Sequence, residues 1–407
     1  MAYRSYRTVS FVLKYSLAAV IACAVFLALI PLNSPPPVTA RQAAATPTAL
    51  PAPRWGPEII HFRADTGRSG VFDTPAIQDQ PVIQWRSELG DFFLGTPLVV
   101  DGVLYTGGSN GSVYAIDAAN GSVLWSVGGF EAVETALAVA GDVLIVGGFS
   151  STVQALDRRD GTVIWSVDTS TFVFAAPLIK DNQVYIATYD SLLALDLETG
   201  SLEWESDTGD EMGFASSPAL ADDTLYVTTP AGLLAFDRTT GQERWRIPAE
   251  TQFWGLAVTE DLVVAGSSAG FLFAYDQQSG KQQWAFKANH LGEDNIWSAP
   301  AVDGDRLYVG NSDRFVYALE TSSGQPVWTF ETAGTAVSDP VVSDGVVYVS
   351  DSNHALPDGP RHLYALDAHT GEKLWTFELN STLLTTPALG DHGLYITTIT
   401  GEILALE

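Results

Sequence analysis

Residues 98–127 read LVVDGVLYTGGSNGSVYAIDAANGSVLWSV. Leu98-Val99-Val100 is a short strand, Asp101-Gly102 a tight turn and Val103 to Gly107 a second strand. Ser109-Asn110-Gly111 is a loop, Ser112 to Ile116 a third strand, Asn120-Gly121 a turn and Ser122 to Val127 a fourth. Asp-Gly and Asn-Gly between apolar runs signal hairpins, because both central residues can take positive φ.

The unit recurs. Trp85, Trp125, Trp165, Trp204, Trp245, Trp284, Trp328 and Trp375 follow one another at 40, 40, 39, 41, 39, 44 and 47 residues. A strand-rich period near 40 predicts a β-propeller with one four-stranded blade per copy. The third strand ends in Ala-x-Asp or Ala-x-Glu at Asp117, Asp157, Asp196, Asp237, Asp276, Glu320, Asp367 and Glu407. A carboxylate there can accept N–H bonds from the next turn, and a group present in every copy is read as structural rather than as a metal ring. The turn before the fourth strand carries Gly121, Gly161, Gly200, Gly241, Gly280, Gly324 and Gly371. Pro97, Pro177, Pro218, Pro300, Pro340 and Pro387 mark the first strand as an edge, since proline cannot donate to a ladder, and in a propeller that edge lines the channel. Three strands follow Trp375, and Pro81 to Glu88 around Trp85 offers the fourth. The expected fold is all-β: an eight-bladed propeller of four-stranded antiparallel blades, closed by an N-terminal strand that completes the last blade and hides both edges.

The composition, 46% hydrophobic and 17% charged over 407 residues, is that of a globular chain. All 48 acids and 15 of the 20 bases lie from Trp55 onward, a charge of −33, which excludes nucleic acid as a partner because a phosphate backbone needs the opposite sign. The one cysteine, Cys23, excludes a disulfide scaffold, a cysteine-ligated zinc site and an iron–sulfur cluster. Residues 1–15 carry Arg4, Arg7 and Lys14, and 16–32 are an uncharged apolar run near the minimum for a bilayer span. The basic flank should hold that end in the cytoplasm and send the bulk of the chain out. A transmembrane signal anchor is expected, with cleavage after Val38-Thr39-Ala40 or lipidation of Cys23 as the alternatives. Residues 33–54, rich in Pro, Ala and Thr, read as a linker, and 55–407 as the propeller, with blade strands from about 81. The expected location is the cell membrane, single-pass, with the propeller extracytoplasmic.

The units Ala115-Ile116-Asp117…Asn120-Gly121…Trp125 and Ala365-Leu366-Asp367…Thr370-Gly371…Trp375 resemble the tryptophan-docking repeat of the pyrroloquinoline-quinone (PQQ) propeller superfamily. The chain looks most like its non-catalytic, BamB-like branch, named for an exported eight-bladed lipoprotein of the outer-membrane assembly machine. Phe62 to Gly70, FRADTGRSG, resembles the lead-in segment before such repeats. The resemblance implies a docking role for the eight tryptophans and a non-enzymatic protein-binding scaffold or assembly factor. The superfamily's quinoprotein dehydrogenases imply the alternative, an oxidoreductase using PQQ with calcium. Those enzymes carry adjacent cysteines over the quinone, and this chain has no such pair. Asp294, Asn295 and Asp351 are the candidate calcium oxygens. No resident cofactor or metal is expected. The six histidines, at 61, 290, 354, 362, 369 and 392, read as solvated loop residues, and no Gly-x-Ser-x-Gly elbow or phosphate loop is present.

Departures from the repeat mark where recognition can be built. Extra residues around Asn289 to Ile296 and His354 to Arg361 fall on connections that up-and-down strand order brings to one rim. That rim also receives Phe172, Met212 and the acids Asp91, Glu131, Glu134, Asp207, Asp210, Glu211, Glu293 and Asp294. Four residues before the proline column every copy is apolar, with Phe93, Val133, Val173, Phe214, Phe253, Ile296, Ala336 and Leu383, which reads as blade packing. Three before, the residue varies. Phe174, Trp254 and Trp297 of that variable column, with Phe92 and Phe214 of the same rim, are the candidate protein-binding residues, for a protein or peptide partner of basic character. A monomer is expected. An extracytoplasmic ligand sensor, the remaining alternative, would need a deep polar pocket at the channel mouth.

Overall fold

A computed structural model describes residues 59–407 except 92, 94, 150, 174, 210–215, 289–294, 297, 337, 353–360, 382, 384 and 391–392. Segments 1–15, 16–32 and 33–54 lie outside the described residues, among which no helix is long and apolar enough to cross a membrane. Blade 1 is Leu98–Val100, Val103–Gly107, Ser112–Asp117 and Val123–Gly128, hydrogen-bonded in that order, and the pattern recurs in eight sheets. Asp101 and Gly102 hold φ of 50° and 73°, the mirror-image turn that matches strand twist.

The second turn differs from its sequence reading. Only Gly121 takes positive φ, 74°, and its N–H bonds back to the Asp117 carbonyl at 2.8 Å. The Asp117 carboxylate accepts the Ala119 N–H at 2.9 Å, and the ladder slips by one residue between Ala115 and Ile116. A capped turn plus a bulge thus replaces the two-residue hairpin, and the bulge re-aims the outer strand. Asp157, Asp196, Asp237, Asp276 and Asp367 cap their turns in the same way. The Arg244 guanidinium, helped by the Thr240 and Thr239 amides, holds the Asp237 carboxyl down to about 2.

The outer strands join the blades. Each tryptophan donates its indole N–H to a backbone carbonyl beyond its own sheet. Trp85 reaches Ala118, Trp125 reaches Arg158, Trp165 reaches Leu197 and Trp204 reaches Arg238, at 2.8–3.0 Å. Trp245 reaches Gln277, Trp284 reaches Thr321, Trp328 reaches Ala368 and Trp375 reaches Ile77, over the same range of 2.8–3.0 Å. Second-strand tyrosines add a hydroxyl to the same carbonyls: Tyr105 to Arg158, Tyr226 to Gln277, Tyr308 to Ala368 and Tyr395 to Ala118. Ile77 stands where a blade turn would otherwise receive Trp375. Trp375 is 3% exposed and packs with Tyr348 at 5.8 Å between ring centroids. Trp375→Ala is expected to cost about 3–5 kcal/mol, read as a lower denaturant midpoint at unchanged slope. A loss below about 1 kcal/mol would mean that docking is not a structural joint.

Ile83–Glu88 pairs antiparallel with Glu402–Leu406 and supplies the outer strand of the eighth sheet, beside Gly393–Thr397 and Ala388–Gly390. Blade 5 has a longer inner strand, Phe253–Val258, with an irregular register between Phe253 and Leu256.

Candidate functional site

Two places on the propeller can carry function, the rim of long connections and the axis. On the rim, Phe92, Phe174, Phe214 and Trp297 lie outside the described residues. Trp254 is described and half-buried, and its carbonyl accepts the Thr228 hydroxyl. The packing column behaves as its apolar character suggests: Phe93, Val133, Val173, Ile296 and Leu383 are 0% exposed. A methyl added at Gly147 would lie 2.6 Å from Val173, and one at Gly266 equally 2.6 Å from Ile296, so each bulky residue fills the space above a neighbouring blade's glycine. In blade 5 the bulge lets Leu256 take the place that proline holds elsewhere, since Val258 pairs as Leu220 does in blade 4.

Several rim acids are engaged within the protein. Asp91 is 8% exposed and accepts from Ser109, from the Asn110 N–H and from the Tyr114 hydroxyl. Asp207 accepts the Gly209 N–H at 2.6 Å. Asp351 is 0% exposed and accepts the Gly334 and His362 N–H groups and the Tyr364 hydroxyl, at 2.9, 2.7 and 2.7 Å. Donors on every side suit a carboxylate that stays in its own network, and they do not suit a calcium ligand. Asn295 offers its N–H to Ser312, and Asp294 lies outside the described residues. Among the described residues no three of His, Cys, Asp and Glu converge as metal ligands. Asp210, Glu211 and Glu293 also lie outside the described residues. A cleft between blades 6 and 7, lined by Asp303, Asp305, Asp344 and His369, belongs to the short-turn rim.

The axis holds what the repeat pattern could not place. Residues 59–72 run round the inner edges as a collar. Ile59–Ile60 pairs antiparallel with Ala138–Ala140 of blade 2, and Val71–Phe72 pairs parallel with Val341–Ser343 of blade 7. Between them the carbonyls of Thr66, Gly67, Ser69 and Gly70 accept the N–H groups of Leu220, Val258, Val302 and Val342, at 2.7–2.8 Å. Blade 3 is met by a side chain: His61 Nε2 faces the Ile179 carbonyl at 2.8 Å and its N–H at 3.0 Å. Six successive blades thus have their free inner edge satisfied by one segment. His61 is 4% exposed, which corrects its reading as a solvated loop histidine, and burial first, then the nearby Arg68 charge, pushes it down to about 3.

Arg63 and Arg68, 2% and 1% exposed, anchor the collar. Arg68 donates to the carbonyls of Pro218, Phe62, Ala176 and Pro177. Arg63 donates to those of Arg68, Pro340 and Pro300, and pairs with Asp339 at 3.2 Å. Burial pushes both guanidinium groups down, to about 9 for Arg68, which leaves it cationic at neutral pH. The two arginines on the axis do not fit a carboxylated quinone at their level: both are buried, and their donors are already taken by backbone carbonyls and Asp339. A sequence signal existed, two arginines five residues apart in an acidic chain, but nothing in it says where they go.

Eight four-stranded sheets, joined by tryptophan docking and collared at the axis, define the class of PQQ-like repeat propellers. The chain belongs to the family described as outer membrane protein assembly factor BamB, whose profile matches residues 82–134, 109–253, 191–296 and 269–407. A curated relative, lupanine 17-hydroxylase (cytochrome c) from Pseudomonas sp, is 30% identical over 129 residues, which is 30% of this chain and only 14% of that protein's length. Quinohemoprotein alcohol dehydrogenase from Comamonas testosteroni superposes with a TM-score of 0.71 at 16% identity, covering 87% of this chain and 80% of that one. BamB from Moraxella catarrhalis superposes with a TM-score of 0.55 at 19% identity, covering 86% and 98%. At such identities the likeness is one of fold, which hosts both kinds of protein.

Proposed function

We propose that this protein is an exported, membrane-tethered, non-enzymatic scaffold or assembly factor that presents its long-loop rim to a protein or peptide partner. Residues 16–32 anchor it as a single pass, 33–54 hold the propeller off the membrane on the extracytoplasmic side, and the ring of the monomer closes through Ile83–Glu88. The observation that carries the reading is the engagement of the axial arginines: Arg63 and Arg68 give their donors to the Pro300 and Pro218 carbonyls beside the inner strands, which leaves these cations unavailable to a carboxylated cofactor. The lupanine 17-hydroxylase match favours a second reading, a quinone- and calcium-dependent oxidoreductase. Calcium-dependent uptake of PQQ, followed by its absorbance on the purified protein, would establish that reading and displace the first.

The rim is tested by capture of partners from native membranes. Trp254→Ala and Trp297→Ala are each expected to weaken capture by about 1–3 kcal/mol. Asp344→Lys, on the opposite rim, is expected to leave it unchanged. Normal capture by both tryptophan variants, with loss in Asp344→Lys, would put the working face on the short-turn rim instead.

A further inference from the structure

Among the described residues Phe172, 44% exposed, is the one aromatic side chain left open to solvent. It lies on the connection from blade 2 to blade 3 and packs against Phe149, with ring centroids 6.0 Å apart and planes at 41°. Both sit on pinned backbone. The Phe149 N–H bonds to the Ala132 carbonyl at 3.0 Å, and the Phe172 carbonyl accepts the Tyr189 N–H at 3.1 Å. The Val173 N–H reaches the Gly148 carbonyl at 3.3 Å, and the Thr171 hydroxyl reaches Asp190 at 3.0 Å. The main chain beneath the rings is therefore held in place before any ligand arrives, which lowers the ordering cost of binding.

The charge around them has one sign. Residues 129–136, 148–151, 169–176 and 188–191 contain Glu131, Glu134 and Asp190 and no lysine or arginine. Asp190 is engaged by Thr171 and Thr188. Glu134, two residues beyond the Ala132 that holds Phe149, is half-buried and accepts no hydrogen bond or ion pair among the described residues. A partly desolvated carboxylate without a cation is unfavourable in the free protein and gains most from one supplied from outside. Burial pushes the Glu134 carboxyl up, in keeping with that surrounding.

We propose that the Phe149–Phe172 pair, with Glu134 two residues along from the Ala132 carbonyl that holds Phe149, receives the cationic side chain of an arginine- or lysine-bearing peptide segment of the partner. A cation over an aromatic face is attracted by the ring quadrupole, and the unpaired carboxylate adds a charge-assisted contact. The proposal rests on the rim reading above and names the chemistry that one part of the rim selects.

The test uses a dye-labelled Gly-Ser peptide bearing three arginines, and its neutral citrulline counterpart, titrated by fluorescence anisotropy into the full-length protein in detergent at about 150 mM salt, where long-range attraction is screened. The arginine peptide is expected to bind at least about tenfold tighter than the citrulline one. Phe172→Ala and Glu134→Gln are each expected to weaken it by about five- to tenfold. Phe172→Leu, which keeps the apolar bulk, should lose as much as Phe172→Ala, while Phe172→Trp should hold or gain. Asp344→Asn should change binding less than about twofold, since it removes an exposed acid of the other rim. Equal binding of the two peptides, wild-type affinity in Phe172→Ala, or equal losses in Asp344→Asn and Glu134→Gln would each overturn the proposal. Loss of native-partner capture in Trp297→Ala, with normal capture in Phe172→Ala, would overturn it while leaving the rim reading intact.

Discussion

Gly121→Ala is expected to destabilise the protein by about 2–4 kcal/mol, and Gly121→Asn by nearly as much. Gly121 holds φ of 74°, where alanine is strained by about 1–2 kcal/mol and asparagine is tolerated. If backbone conformation were the whole reason for glycine, asparagine would restore most of the loss. A Cβ at Gly121, however, would lie 2.5 Å from Cε3 of Trp85 and 2.8 Å from Cδ2. The indole of blade 8 lies flat on the turn of blade 1 and hydrogen-bonds to Ala118 beside it. Any side chain must lift that ring and break its bond. Thermal and denaturant unfolding of the two variants decides between the accounts: an asparagine variant as stable as wild type would make the turn alone responsible.

Between about pH 6.5 and pH 3 one side chain is expected to remove several kcal/mol of stability. His61 is buried neutral on the axis and held down to about 3, against an ordinary value of 6.5. In that interval the unfolded chain takes up a proton that the folded chain refuses, so stability falls as pH falls, at about 1.4 kcal/mol per unit, and levels off below pH 3. Above 6.5 neither state is protonated and the contribution is flat. His61→Gln keeps a polar group facing Ile179 without a titrating one. The wild type should lose stability relative to this variant progressively from pH 6.5 downward, by about 3–5 kcal/mol in total if the collar stays docked. Detachment of the collar alone would cap the loss and would appear as amide exchange at Leu220, Val258 and Val302 before global unfolding. Parallel acid profiles in the two proteins would mean that His61 is not buried neutral. Below about pH 4 a separate loss follows in both, because Asp237 is held down to about 2 and protonating it releases its turn and Arg244.

Most of the scaffold was legible because its signals repeat. The bounds of blade 1 came within a residue of Leu98–Val100, Val103–Gly107, Ser112–Asp117 and Val123–Gly128, since each strand is set by local alternation and turn residues and checked by further copies. The carboxylate caps, the proline-marked inner edge and the packing column were readable for the same reason. A tyrosine column, at 105, 185, 226, 308, 348 and 395, was equally visible, but the hydroxyl bonds that Tyr105, Tyr226, Tyr308 and Tyr395 make to another blade's turn cannot be read within one blade. The rim was the least legible part. Aromatic residues there can face a partner or a neighbouring blade, and sequence spacing does not distinguish the two. Among the described residues Trp254 is half-buried and Phe172, not among the five candidates, is exposed, while the other four candidates lie outside the described residues.

Composition and period alone determine a propeller of repeated four-stranded blades, its strand boundaries and its acidic surface, because these follow from local hydrogen bonding, side-chain alternation and net charge. Only the packed structure decides which tryptophan covers which glycine, why Ile77 receives Trp375, and where His61, Arg63 and Arg68 lie. Those contacts join residues far apart in the chain, 118 positions for His61 and Ile179 and 277 for Arg63 and Pro340. The tryptophan–glycine contacts recur from blade to blade, whereas the Ile77 and axial contacts are each made once and leave no periodic trace, and their partners are set by how the blades pack.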